Sequence, residues 1–354
     1  MRVLACAVGF GLGPAGKLCS VVENNKCVEW YACGDELDLS IYESNPYIDV
    51  CWSKERAVLE AFVEKYGIRY AVNVLDPDAA IILEDMGIKV LYIDSLPFMW
   101  TKADLIPYNV WAYCGQKYPN YTRNPALNEV NNFMWVDPII PDCKIKNRGD
   151  YFVINFGGLH SPFGDGEEYF KIIMESLLHI VEQKSVYITG GKNVIRLAQE
   201  LYPQFVSRTY SHKEFLELVS GAELFFTSPG LTTIYETCEM DIKTIILPPQ
   251  NLSQFYNRDA AKKVCRSVKV LDWNRDTLKM SYLERFKDSP EEETVTFIYE
   301  QIKLLADDDA YRKEYKLYMQ DIMKAPFMKN DGAMPGNQGV KQVSEVLHRM
   351  MEEV

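Results

Sequence analysis

Apolar residues in this chain gather into short continuous runs, separated by longer stretches in which they recur every three or four positions. Runs without alternation, bounded by glycine and proline, read as strands buried on both faces; the periodic stretches read as helices laid over them. In the first half the strands fall at 2–8, 69–75, 88–93, 108–115 and 132–136, with helices from about Lys17 through Glu23 and over 54–66. In the second half they fall at 151–156, 186–189, 224–227 and 244–247, and the stretch 205–208 runs into Tyr210-Ser211. A helix over 167–183 carries apolar residues at 170, 173, 174, 177, 178 and 181, which form one stripe. Further helices are predicted at 231–240, 258–265, 291–305, 309–323 and 338–351. The pattern breaks once, at Asp137-Pro138-Ile139-Ile140-Pro141 and the polar residues that follow to Asp150, which mark a linker.

The densest chemistry lies in the stretch from Ala222 to Asn257. A buried strand runs into the turn Ser228-Pro229-Gly230, a short helix, a second strand ending at Pro248, and a stretch predicted to be a polar loop. Two apolar strands joined by so short a helix are one parallel crossover unit. Gly230 at a helix start lets unpaired N–H groups and the positive end of the helix dipole meet an anion, and a phosphate suits that place. Leu231 opens that helix, and Thr232 and Thr233 add hydroxyl donors at the rim. Glu236 lies one turn, about 5.4 Å, further along the same side. That is roughly the step from a nucleotide's β-phosphate to its ribose, whose hydroxyls a carboxylate accepts. Gln254 and Asn257, three apart, can present two amides to one polyol. Together these features suggest a nucleotide-sugar.

The order G-x-x-T-x-x-E, an apolar strand ending in proline, then Q-x-x-N, resembles the donor-binding half of GT-B glycosyltransferases. The UDP-glycosyltransferases and the peptidoglycan GlcNAc transferase show the most similar patterns. That resemblance implies that Gly230 to Thr233 hold the pyrophosphate, that Glu236 binds the ribose, and that Gln254 with Asn257 contacts the sugar. It places Tyr210 and Ser211 where the base of the nucleotide docks, and the phrase around Asp137-Pro138-Ile139 at the exit into the second domain. Two departures stand out: Pro229 where Gly or Ser is common, and Ser253 where an acidic residue often precedes the glutamine.

Other glycines close strand ends in both halves. Gly9-Phe10-Gly11-Leu12-Gly13-Pro14-Ala15-Gly16 follows the first strand without the spacing of a dinucleotide fingerprint. By the resemblance, Gly11 and Gly13 lie on the loop that faces the interdomain cleft. Inverting members often carry a catalytic His there, whereas this chain has no His before residue 160. In the second half, Gly158 and Gly190 sit on loops after strands and join the donor-site candidates. Two residues are candidates for the proton acceptor. Asp94, at the carboxyl end of a predicted parallel strand, points toward the crevice where such sheets bind ligands, or else caps the next turn. His160 follows Gly157-Gly158-Leu159 and suits a phosphate contact, proton acceptance or an ordinary loop position. Phe98, Met99 and Trp100 suit an acceptor pocket, the core or a membrane-dipping loop. Asp76-Pro77-Asp78 spells the D-x-D metal signature of another glycosyltransferase fold, but Pro77 favours a helix cap at Asp78. Asp307-Asp308-Asp309 reads as a loop and cap.

Bulk properties narrow the classes. A chain of 354 residues exceeds what one core usually supports, and its 47% apolar content suffices for two. A net charge of -12 without a basic cluster argues against nucleic acid as partner. Nine cysteines with no C-x-x-C pair fit a reduced, cytoplasmic setting. The apolar start of the chain, broken by Gly9, Gly11, Gly13 and Pro14, does not read as a signal peptide, and no run of about 18 apolar residues suggests a membrane span.

The expectation is therefore an α/β protein of two Rossmann-like domains facing across a cleft. They comprise an acceptor domain over 1–140, a donor domain over 141–336, and a terminal helix over 337–354 that returns to the first. Its expected chemistry is sugar transfer from a nucleoside diphosphate sugar, UDP favoured, to a hydroxyl of a small molecule or glycan. Inversion follows from direct displacement, no metal or other cofactor is required, and membrane association is not expected. The rival readings are a sugar-nucleotide epimerase of the same fold and a non-catalytic nucleotide-sugar-binding protein.

Overall fold

The structure is a computed structural model that describes residues 1–9, 12–34, 41–43, 45–51, 54–119, 121–142, 146–161, 164–181, 183–265, 267–286, 289–328 and 334–353. The chain forms two compact units, one of Met1–Asp142 with Pro335–Val354, the other of Cys143–Met334.

The first unit is built on β1 (Arg2–Ala7), α1 (Gly13–Asn24), β2 (Glu29–Cys33), β3 (Ile48–Cys51), α2 (Arg56–Tyr66), β4 (Tyr70–Val74), α3 (Pro77–Asp85), β5 (Lys89–Asp94), β6 (Ala112–Gln116) and β7 (Phe133–Val136). All seven strands are parallel, in the order β3-β2-β1-β4-β5-β6-β7. Five of the six residues of β1 are buried, as helices on both faces of a parallel sheet require. Local sequence explains the helix ends. Gly67, at φ +60°, terminates α2, and the Asp76 carboxylate accepts from the Ala79 N–H to cap α3. The cap is thus Asp76, while Asp78, expected in that role, lies in the first turn. Two further expectations are corrected. Helix α1 starts at Gly13, four residues before Lys17, because Pro14 is well placed in a first turn. Residues 108–111 are a turn before β6, and β2 and β3 add strands that the apolar pattern did not reveal.

The second unit contains β8 (Tyr151–Asn155), a small hairpin of β9 (His160–Ser161) and β10 (Gly164–Asp165), α4 (Glu167–Val181), β11 (Ser185–Thr189), α5 (Lys192–Leu201), β12 (Val206–Ser207) and α6 (His212–Ser220). It continues with β13 (Leu224–Thr227), α7 (Leu231–Glu239), β14 (Thr244–Ile246), α8 (Leu252–Val264), β15 (Val268–Val270), α9 (Glu291–Asp307) and α10 (Asp309–Lys324). Its main sheet is again parallel, in the order β12-β11-β8-β13-β14-β15. The predicted stripe on α4 is the core face, with Phe170, Ile173, Met174, Leu177 and Val181 at no more than 1% exposure. Each such side chain contributes about 2 kcal/mol by leaving water. Helix α8 starts six residues before the expected position, because the Asn251 side chain accepts from the Gln254 N–H and caps it. Asp308 likewise caps α10.

The terminal helix α11 (Gly339–Glu352) belongs to the first unit, where it packs on α1 and the β4–β7 side of the sheet. Val343, Val346, Leu347 and Met350 join the cluster of Leu18, Val21 and Val22. Gly339 is needed at its start, since a Cβ there would lie 2.2 Å from the Asp137 carbonyl oxygen. Gln342 accepts from the Asp137 N–H at 2.7 Å, and Ser344 Oγ accepts from Asn24 and Asn25. No helix among the described residues is long and apolar enough to cross a membrane.

Candidate functional site

In the second sheet the strand order reverses between β8 and β13, and ligands of open α/β sheets bind beyond the carboxyl ends at such a point. Asn155 ends β8 and Thr227 ends β13, in register with one another. Asn155 ties the edge together. Its amide donates to Thr227 Oγ1 at 3.1 Å, its Oδ1 accepts from the Gly157 N–H at 3.0 Å, and its carbonyl accepts from the Ser228 N–H at 2.9 Å.

The turn Ser228-Pro229-Gly230 opens directly from this point. The Gly230 N–H donates to the Ser228 carbonyl at 2.7 Å, and Gly230 then serves as N-cap of α7. No side chain caps α7 and its first turn has no acidic residue, so its dipole end is offset by neither. Gly230 is half-buried at φ −75°, and a Cβ there would meet only Thr233 Oγ1 at 3.7 Å and the Ser228 carbonyl at 4.0 Å. Neither the backbone conformation nor the neighbouring protein demands glycine. Leu231 and Thr232 are buried and Thr233 is half-buried.

Glu236 follows one turn later and is only 1% exposed. Its Oε1 lies 2.6 Å from His212 Nε2, on the first residue of α6. Its second carboxylate oxygen accepts no hydrogen bond among the described residues. His212 was not singled out by the sequence, although Ser211-x-x-Glu214 is a capping box that announces a helix starting there. Tyr210, just before the cap, is half-buried with the Arg208 guanidinium 4.2 Å from its ring centre.

Gln254 and Asn257, expected on a loop, instead occupy the first two turns of α8. Asn257 Nδ2 donates to the Pro229 carbonyl at 3.0 Å, so its amide ties α8 to the turn. Gln254 is half-buried and its Oε1 accepts from the Gln250 N–H at 3.0 Å. Gln250, also missed, is buried between Tyr299, whose hydroxyl donates to its Oε1 at 3.1 Å, and Ser228 Oγ, which its Nε2 reaches at 3.5 Å.

Gly158 and Gly190 belong to a backbone contact. A Cβ on Gly190 would lie 2.7 Å from the Gly157 carbonyl oxygen, and one on Gly191 2.7 Å from that of Gly158. Gly157 has φ +65°, and its carbonyl accepts from the Gly191 N–H at 2.9 Å. Close approach of two loops explains the glycines at 190 and 191, and the left-handed φ explains Gly157. His160 begins strand β9, and its side chain lies outside the described residues.

In the first unit, Asp94 ends β5 fully enclosed. Its carboxylate accepts from the Leu96 N–H at 2.8 Å, Trp100 Nε1 at 2.7 Å and the Tyr113 hydroxyl at 2.7 Å. Burial pushes its pKa up to about 6 against the lowering effect of those donors. The bonds from Leu96 and Trp100 hold the turn after β5, as a cap would, and the bond from Tyr113 ties that turn to β6. Phe98 stacks on Tyr121 and packs at a tilt against Tyr118, each 4.4 Å away between ring centres. Gly13 opens α1, and Gly11 lies outside the described residues. Asp76 Oδ2 is 2.8 Å from Lys54 Nζ, which also donates to the Ala7 carbonyl. No group of three or more His, Cys, Asp or Glu among the described residues is arranged to hold a metal ion.

Structures similar to this chain along its length include GT-B glycosyltransferases, and the chain shares their fold. Spinosyn rhamnosyltransferase SpnG complexed with thymidine diphosphate is 11% identical, with 100% of both chains covered and a TM-score of 0.53. Arabidopsis thaliana UGT89C1 complexed with quercetin is 10% identical, with 99% of both chains covered and a TM-score of 0.53. The Methanocaldococcus jannaschii UDP-GlcNAc 2-epimerase, in complex with UDP-GlcNAc and UDP, is 13% identical, with 87% of this chain and 100% of the epimerase covered and a TM-score of 0.50. No protein-family model matches the sequence, and no curated protein matches it.

Proposed function

We propose that this protein is a glycosyltransferase that takes its sugar from a nucleoside diphosphate sugar, UDP favoured, and passes it to a hydroxyl of a small-molecule or glycan acceptor. The observation that carries this reading is the uncapped start of α7 with Glu236 one turn below it. An anion matches the first, while the open oxygen of Glu236 repels phosphate and takes hydrogen-bond donors. A ligand that joins both has an anionic end and a hydroxyl-bearing end about one helical turn apart, as a nucleoside diphosphate does.

In the reaction, the first-turn amides stabilise charge as it develops on the departing diphosphate, in place of a metal. Direct attack by the acceptor oxygen inverts the anomeric carbon. Acceptor binding falls to the first unit under this reading. A second reading, a nucleotide-sugar binder without transfer, is favoured by two observations: residues 1–159 contain no His, and Asp94 is occupied by three donors.

Thermal unfolding with UDP, GDP, dTDP and their sugars tests the site. A ligand at 100 times its Kd adds about 2.7 kcal/mol to stability. UDP is expected to raise the melting temperature, and Glu236→Gln to remove most of that gain while its ligand-free melting stays close to wild type. No stabilisation by any of the three diphosphates overturns the reading. Transfer across an acceptor panel then separates enzyme from binder, and a new epimer from UDP-GlcNAc alone identifies an epimerase.

A further inference from the structure

Glutamate's last torsion is broad, so a buried carboxylate is not aimed by rotamer preference alone. At Glu236 the aim is set from another element. His212 Nε2 holds Oε1 at 2.6 Å, with the glutamate side chain 2% and the histidine side chain 17% exposed. His212 is itself fixed at the helix start: Ser211 Oγ accepts from the Glu214 N–H at 3.3 Å, and the Glu214 carboxylate accepts from the Ser211 N–H at 3.0 Å. A capping box on α6 thus orients a carboxylate on α7, 24 residues further along the chain. With Oε1 held, the other oxygen is left for a ligand. A buried anion with one donor remains under-solvated, so it gains most from a ligand that brings hydroxyl donors.

We infer that His212 is a positioning residue that makes Glu236 a selective acceptor for the ribose hydroxyls of the bound nucleotide, setting preference for hydroxyl-bearing over dideoxy pentose. This rests on the proposed nucleotide site and adds a residue that neither the motif nor the resemblance assigns. His212 needs no contact with the ligand. Its effect passes through the orientation of Glu236, so it acts on the ribose contribution to affinity and leaves the diphosphate contribution alone.

The experiment compares binding of UDP and 2′,3′-dideoxyuridine diphosphate by titration calorimetry in wild type, His212→Leu and His212→Gln. Wild type is expected to bind UDP about tenfold or more tightly than the dideoxy compound, the scale of a hydrogen bond to a charged group. His212→Leu brings the two affinities within about threefold, mainly by weakening UDP, with the dideoxy affinity retained. His212→Gln, whose amide replaces the Nε2 donor, restores most of the discrimination. Should the leucine variant fail to fold, His212→Asn, with a shorter amide, takes its place. An unchanged ratio in His212→Leu or His212→Asn overturns the role of His212 while the nucleotide site stands. Wild type that binds neither compound overturns the site and the inference together.

Discussion

Asp94 and Glu236 are both carboxylates with almost no exposure, each near the carboxyl edge of a parallel sheet, yet they differ in how many donors reach them. Asp94 receives three, from Leu96, Trp100 and Tyr113. Among the described residues Glu236 receives one, from His212. A buried carboxylate with several donors has its acceptor capacity taken up within the fold. One with a single donor keeps acceptor capacity that only a ligand or water can use. Burial alone therefore does not mark a functional acid, and donor count separates the two.

Replacing Asp94 has the largest expected effect. Asp94→Ala leaves three buried donors without an acceptor, at about 1 kcal/mol or more each. A loss of about 3 kcal/mol in denaturant unfolding at neutral pH is expected, with UDP binding retained. The loss depends on pH with a definite sign. Burial raises the folded pKa of Asp94 to about 6 from 3.8, so between those values the native state holds a proton that the unfolded state releases. Stability from this group is therefore greatest at the acid end and falls as pH rises through that window. The gap corresponds to about 3 kcal/mol, read as the difference between wild type and Asp94→Ala across the titration. Loss of transfer activity with little loss of stability would instead return Asp94 to the role of general base.

The strands that centre each sheet were legible, because β1, β5, β8 and β13 are uninterrupted apolar runs. Strands β2 and β3 were not: Glu29–Cys33 opens on a glutamate, Ile48–Cys51 is only four residues long and interrupted by Asp49, and their identity comes from pairing with β1 and with each other. Helix α8 was placed late because Asn251, Ser253 and Gln254 look like loop residues, although Asn251 carried a readable cap signal. The turn and Glu236 could be found as a local motif. His212 could not be paired with Glu236 in that way, since the contact is made by packing across 24 residues. Of the three donors on Asp94, Leu96 and Trp100 are local, whereas Tyr113 is brought from nineteen residues away by strand pairing.

Glycines extend the contrast between groups that serve the fold and groups left over for a ligand. Gly191 serves the fold, since its Cβ would press on the Gly158 carbonyl oxygen at 2.7 Å and both partners are backbone. Gly191→Ala is expected to destabilise by about 2 kcal/mol, the scale of overpacking. The protein that remains folded should still be stabilised by UDP, because the substitution acts between loops. Thermal unfolding with and without nucleotide reads both effects. A loss below about 0.5 kcal/mol would mean that the loops yield, and that Gly190 and Gly191 have another reason to be there.

Gly230 is expected to show the smallest effect on stability and the clearest one on binding. Its φ of −75° suits any residue, and a Cβ would meet no protein atom closer than 3.7 Å. Gly230→Ala should change stability by no more than about 0.5 kcal/mol, because the poorer N-cap is offset by the restriction alanine places on the unfolded chain. If the start of α7 holds the diphosphate as proposed, a methyl group there sits where the phosphates must approach, so UDP affinity should fall by about tenfold while uridine affinity changes little. The comparison of UDP with uridine isolates the phosphate contacts from those to base and ribose. Equal affinities in wild type and Gly230→Ala would place the diphosphate away from α7, and the glycine at its cap would then serve neither fold nor ligand.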